Sequence, residues 1–189
     1  MKNLTIFFLF IILGCGGGGG SDSQPPLKHL YVLAGQSNMR VMPTEAFSKW
    51  MPQDTIIVKY TVDGTCIKEW NAGLYKGILT RLPKEYDDMT LVWMQGECDA
   101  RNFNSDTYYD DFLKLVELIG ADHVVIGRLC HFYIGFADGD NLRAVQETIG
   151  NELGCWVNTD DLECDGHFDD YETLGKRFAD ACKSLNRIC

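Results

Sequence analysis

Long apolar runs, basic clusters and metal-ligand spacings are all scarce in this chain of 189 residues. The longest apolar run, residues 4–13, is too short to cross a bilayer. Its length and position instead suit the core of a secretory signal peptide. There is no Lys/Arg run; 17 basic residues face 27 acidic ones, a formal net charge of −10. That balance excludes a nucleic-acid partner and disfavours polyanionic ligands. No cysteine pair has the spacing of a redox CxxC or a zinc ribbon, so no metal is expected. No internal repeat and no second domain are visible, and the length points to a single domain.

What is present supports a folded, exported domain. Hydrophobic residues make up 46% of the chain and aromatics 12%, enough for a real core. Lys2 precedes the apolar run, which ends in Ile12-Leu13-Gly14-Cys15. That ending resembles a bacterial lipobox, and the resemblance implies cleavage before Cys15 and lipid on its sulfur. Residues 1–14 are then a lipoprotein signal peptide, 15–26 a Gly/Ser-rich tether, and 27–189 the domain. The expected location is an exported, membrane-anchored one, with the membrane touched only through the lipid. Export permits disulfides. Eight cysteines less Cys15 leave seven, so at least one thiol stays free or pairs between chains.

The residues between alternate in character. Strand-like runs start at His29, Thr55, Thr90, His123 and Cys155. Between them lie helical spacings: Leu74, Ile78 and Leu82; Tyr108, Phe112, Leu115 and Ile119 after an N-cap at Ser105; and Leu142, Val145 and Ile149. Tyr171, Leu174, Phe178 and Leu185 mark a last helix. Alternation of this kind predicts a single three-layer α/β/α domain around a parallel sheet of about five strands.

Polar clusters fall just beyond the expected strand ends: Gly35-Gln36-Ser37-Asn38, Asp63-Gly64-Thr65, Gln95-Gly96-Glu97 and Asp165-Gly166-His167. In a parallel sheet these ends share one edge, so the clusters can converge. Together they hold a hydroxyl, a histidine, carboxylates and an amide, the parts that acyl transfer needs. A serine attacks only when a base takes its proton, and a carboxylate commonly orients that base. Taken alone, Ser37 is equally a helix-capping serine, and satisfying turn backbone groups is the lesser reading of Gln95 and Glu97.

Four blocks in order carry a more specific resemblance: Gly35-Gln36-Ser37-Asn38-Met39, residues 63–70 (Asp-Gly-Thr-Cys-Ile-Lys-Glu-Trp), residues 93–99 (Trp-Met-Gln-Gly-Glu-Cys-Asp) and Asp165-Gly166-His167-Phe168. They resemble the SGNH-hydrolase superfamily, and within it the sialate O-acetylesterase and carbohydrate esterase family 6 branch. Arg143, Gln146 and residues 174–179 also match helices of that branch. The resemblance implies Ser37 as nucleophile and His167 as base. Oxyanion donors would be the backbone N–H groups of Ser37 and Gly64 and the amide of Gln95. Gln36, Asn38 and Glu97 would support the site, Glu97 as an acceptor bracing the Ser37 loop. The implied activity is removal of O-acetyl groups from carbohydrate without a cofactor. Other short-chain acyl esters or the O-acetyl groups of peptidoglycan as substrate, and a sugar-binding module without turnover, are the competing readings.

This chain departs from the branch at two points. The family's aspartate three residues before the histidine is replaced by Cys164, so Asp165 is the expected third triad member. Asp161 and Glu163 are its substitutes, and a Ser–His pair is the remaining alternative. Arg40-Val41 stands where a glycine is usual, at the mouth of the site. Cys66 and Cys98 either form a bridge or are two small buried residues. His29, His123 and His131 have no motif context and read as structural.

Overall fold

The computed structural model describes residues 28–185. The signal peptide, Cys15, the tether and Cys189 lie outside the described residues.

Five strands, β1 (His29–Gly35), β2 (Ile56–Thr61), β3 (Asp88–Met94), β4 (His123–Gly127) and β5 (Gly154–Val157), form one sheet. All pairings are parallel and the order is β2-β1-β3-β4-β5. The central strands β1 and β3 are apolar on both faces because helices cover both. Leu30 to Ala34 and Met89 to Met94 are buried almost without exception.

Connections supply the helices: α1 (Ser37–Val41), α2 (Thr44–Ser48), α3 (Ile67–Glu69), α4 (Tyr75–Leu79), α5 (Glu97–Arg101), α6 (Ser105–Ile119), α7 (Gly139–Leu153) and α8 (Tyr171–Leu185). Helix α8 packs on α2, while α6 contacts α4 and α7. The expected periodic faces are the buried ones: Tyr108, Phe112, Leu115 and Ile119 in α6, Leu174 and Phe178 in α8. A Trp70–Trp93 edge contact at 5.0 Å ties the α3 side to the sheet.

Local details differ from the sequence expectation. The segment carrying Leu74, Ile78 and Leu82 is not one regular helix; a wide turn at Trp70–Leu74 separates α3 from α4. Ser105 is the first residue of α6 rather than its cap, and its N–H is taken by the Asp138 carboxylate at 3.0 Å. A distant side chain thus does what a local hydroxyl was expected to do. Strand β4 stops at Gly127, although the Arg128 N–H still bonds Val157 O at 3.1 Å.

The chain leaves β1 to one side and enters β3 on the other. The gap beyond the carboxyl ends of β1 and β3 is therefore the topological switch point, where open α/β sheets bind ligands. Gly35 closes β1 at φ +139°, and a Cβ there would lie 2.0 Å from Met94 O. Only glycine lets the two strand ends approach so closely, which brings residues 36–38 beside residues 95–97.

Candidate active site

At the switch point lies a polar cleft of about 180 Å³. Ser37 and Gln36 come from the β1–α1 junction, Gly64 from the turn after β2, and Glu97 and Arg101 from α5. Tyr133 and residues 165–167 close the other side. The larger concavity of the surface, about 520 Å³, lies around Trp156 and Arg177, and no serine or histidine lines it. The smaller, more enclosed cleft holds the parts for chemistry of the acyl-transfer type.

Asn38 joins the two halves. Its Nδ2 donates to Glu97 Oε1 at 2.6 Å and to Gly166 O at 3.1 Å. Its Oδ1 accepts from the Phe168 N–H at 3.2 Å and from the Tyr171 hydroxyl at 2.9 Å. The residue next to Ser37 is thereby fixed to both flanks of His167. Burial pushes the Tyr171 hydroxyl up to about 12, so it stays a neutral donor.

The turn around His167 is irregular. Gly166 has φ +109°, a conformation that side-chain-bearing residues rarely adopt. The Asp165 N–H donates to His167 O at 3.3 Å, and Cys164 bridges to Phe168 across the turn. A disulfide between Cys130 and Cys164 ties this turn to the end of β4. A second, Cys66–Cys98, joins the Gly64 turn to α5. Of the two readings of Cys66 and Cys98, the bridge is the one observed. Cys155 and Cys182 are free thiols among the described residues.

Two expectations need correction. Gln95 was expected to aim its amide at an oxyanion, yet it is fully buried and does not line the cleft. Its Nε2 donates to Thr65 O at 2.9 Å and to Asp99 Oδ2 at 2.6 Å, and its Oε1 accepts from the Tyr108 hydroxyl. Both amide N–H groups are therefore spent on the buried Asp99 and on the Gly64 turn. Asp165 was expected to hold the imidazole. Its side chain lines the cleft beside His167, but no hydrogen bond joins the carboxylate to the ring. Of its substitutes, Asp161 is held by Arg177 through two bonds, which keep its carboxyl down at about 2. Glu163 is exposed and has only a backbone bond to Asp169. Ser37 and His167 share the cleft without a direct hydrogen bond, a common state for sites without substrate.

Several contributors were not foreseen. Asp99 is a buried hub that accepts from Ile67 N, Gln95 Nε2 and Asn104 Nδ2, and burial pushes its carboxyl up. Gln146 holds the strand ends: its Nε2 donates to Gln95 O and its Oε1 accepts from Leu129 N. Arg143 reaches Leu129 O and Asp160. The match of Arg143 and Gln146 to the family was the sequence signal for both. Arg101 and Tyr133, bonded to each other at 3.0 Å, carried no signal at all.

Two side-chain groups have the proximity of metal ligands, Cys130 with His131 and Cys164, and Cys66 with Glu69 and Cys98. In both, the sulfurs are consumed in disulfides rather than left as thiolates.

The family profile of carbohydrate esterase, sialic acid-specific acetylesterase matches residues 40–184. The chain belongs to that family. The matched segment contains His167, Gly64 and Glu97, while Ser37 lies just ahead of it. A lipolytic G-D-S-L family protein of Veillonella parvula superposes with a TM-score of 0.60 at 13% identity, covering 85% of this chain and 100% of that one. A carbohydrate esterase family 3 protein of Talaromyces cellulolyticus gives 0.54 at 11% identity, covering 86% and 96%. The psychrotrophic esterase EstA of a Pseudoalteromonas species gives 0.54 at 10%, covering 85% and 97%. No curated protein matches the chain by sequence. The three structures share its fold, and the family makes this esterase a carboxylic ester hydrolase of the carbohydrate-esterase type.

Proposed function

We propose that the esterase removes O-acetyl groups from carbohydrate through an acyl-enzyme on Ser37. The carrying observation is the meeting of Ser37 and His167, from opposite ends of the chain, in one enclosed polar cleft. His167 takes the Ser37 proton as Oγ attacks the acetyl carbonyl. The oxyanion forms against the backbone N–H groups of Ser37 and Gly64. His167 then returns the proton to the departing sugar hydroxyl, and water repeats the sequence on the acetyl-enzyme.

The cleft's size and lining fit this substrate class. About 180 Å³ holds an acetyl group and the near edge of a sugar, not a long acyl chain. Arg101, exposed at the rim of the cleft, offers hydrogen bonds to sugar hydroxyls. The residues in contact with substrate supply the whole reaction, with no cofactor in the scheme. Cys15 is the proposed lipid attachment, holding the enzyme on the outer side of a bacterial membrane, where acetylated glycans are met.

The test is acetate release from a panel of O-acetylated sugars and polysaccharides by the full chain and by Ser37→Ala. Serine-dependent release from glycans supports the reading. Release only from simple aryl or lipid esters overturns the carbohydrate assignment.

A further inference from the structure

Resting on the carbohydrate reading of the cleft, we propose that Phe132 and Phe136 form an aromatic platform for the sugar rings of a polysaccharide, next to the ring being deacetylated. The substrate is then a polymer gripped outside the cleft rather than a free monosaccharide.

The segment between β4 and α7 carries Phe132, Tyr133, Ile134 and Phe136 within five residues. Phe132, Ile134 and Phe136 are 46%, 56% and 49% exposed, whereas Tyr133 is buried and lines the cleft. The other exposed large apolar side chains among the described residues, Val41, Trp50, Leu79 and Phe103, fall singly along the chain. Single exposed hydrophobics are ordinary; three on one short loop mark a binding surface. Tyr133 joins that surface to the catalytic cleft. Its ring lies edge-on to both Phe rings, with centroids 5.3 Å from Phe132 and 6.1 Å from Phe136, and the two Phe rings are 6.3 Å apart.

The loop that displays the rings is held from several sides. The N–H groups of Tyr133, Ile134 and Phe136 donate to Cys130 O, His131 O and Tyr133 O at 3.1, 2.9 and 3.1 Å. The Gly135 N–H donates to the Asp140 carboxylate at 3.0 Å, and the Asp138 N–H to Ala100 O of α5 at 3.1 Å. The Cys130–Cys164 disulfide fixes the start of the loop to the His167 turn. Rings on a fixed frame lose little freedom when a ligand settles on them.

The surroundings select a glycan as the occupant. A cleft of about 180 Å³ takes an acetyl group and one sugar edge, so the rest of a chain lies on the adjoining surface. An aromatic face is electron-rich, and the C–H bonds on the flat side of a pyranose are polarised by neighbouring oxygens, so the two stack. Arg101, bonded to the Tyr133 hydroxyl at 3.0 Å and exposed at the same rim, donates to the hydroxyls around the ring. An anionic bilayer is a poor occupant, because residues 131–140 hold two Asp and no Lys or Arg.

The test compares kcat/KM for acetate release from acetylated xylan, acetylated glucomannan and glucose pentaacetate with that for p-nitrophenyl acetate. The proteins are wild type, F132A/F136A, F132L/F136L and F132Y/F136Y. Wild type is expected to favour the better polysaccharide over glucose pentaacetate. The Ala and Leu pairs should lower the ratio of polysaccharide to p-nitrophenyl acetate kcat/KM by at least about tenfold, mainly through KM. The Tyr pair keeps both ring faces and should stay within about threefold of wild type. A ratio unchanged in the Ala and Leu pairs, equal retention by the Leu and Tyr pairs, or a wild-type preference for glucose pentaacetate overturns the proposal. Activation by phosphatidylcholine vesicles that the Ala pair loses and the Leu pair keeps overturns it in favour of a lipid surface. Should the Ala pair fail to fold, the Leu pair, of closer apolar bulk, decides. Ser37-dependent hydrolysis of p-nitrophenyl acetate with no release from any of the three sugars would instead defeat the carbohydrate reading, and the platform with it.

Discussion

Asn38 Nδ2 and Gly166 O lie 3.1 Å apart, a hydrogen bond between the first helix and the turn that carries His167. With Asn38's bonds to Glu97, Phe168 and Tyr171, one buried amide aligns the serine and histidine sides of the site. Asn38→Ala leaves those partners unpaired in the interior. The expected cost is about 2–4 kcal/mol, with kcat/KM down at least tenfold. Thermal melts and kinetics check both, and an unchanged Tm would contradict the joining role.

Ser37→Ala and His167→Ala should each remove nearly all esterase activity while the circular dichroism spectrum stays native. Neither side chain has a hydrogen bond that the fold depends on, so little stability goes with them. Retention of more than about a tenth of wild-type kcat/KM, a loss under roughly 1.4 kcal/mol, would rule out the assigned roles.

Asp165→Asn is expected to cost less than about tenfold in kcat. A triad aspartate fixes the imidazole tautomer by bonding the ring, and its asparagine variant loses about four orders of magnitude. Here that bond is missing and the link from Asp165 to His167 runs through the backbone. A drop of several orders would show instead that the carboxylate swings onto the ring when substrate binds.

Gln95→Ala should act mainly on stability. It strands the Asp99 carboxylate, Thr65 O and the Tyr108 hydroxyl, all buried, for a loss of about 2–4 kcal/mol. For a domain of this size that lowers Tm by roughly 2–4 °C per kcal/mol. Urea unfolding measures it. A stable variant with a hundredfold lower kcat would restore Gln95 as an oxyanion donor.

Glu97 gives stability a pH dependence of predictable sign. Its folded pKa is raised by burial, so the native protein keeps a proton that the unfolded chain releases above about pH 4.3. Stability contributed by this group is whole below that pH. It falls as pH rises, by up to about 1.4 kcal/mol per unit, until the folded carboxyl ionises. E97Q removes the slope. Urea unfolding at several pH values above about 5 compares the two, and equal slopes would refute the buried, protonated state.

The sequence by itself determined the alternation of strands and helices, the parallel sheet and the edge at which Ser37 and His167 meet. Those follow from local periodicity: both-face apolar runs such as residues 30–34 must be covered by helices, and short parallel crossovers put every strand's carboxyl end on one side. Tertiary structure decided which polar groups remain available at that edge. Gln95 sits in a motif that reads as an oxyanion element, but its amide answers to Asp99 and Thr65, neighbours that no spacing rule predicts. Cys164 occupies the family's aspartate position and bonds to Cys130, which anchors the His167 turn by another means. Arg101, at the end of α5, and Tyr133, in the short helical turn after β4, reach the cleft from separate segments whose sequences carry no periodic or motif signal. Periodicity is a property of neighbours in the chain, whereas competition for a hydrogen bond is settled among neighbours in space.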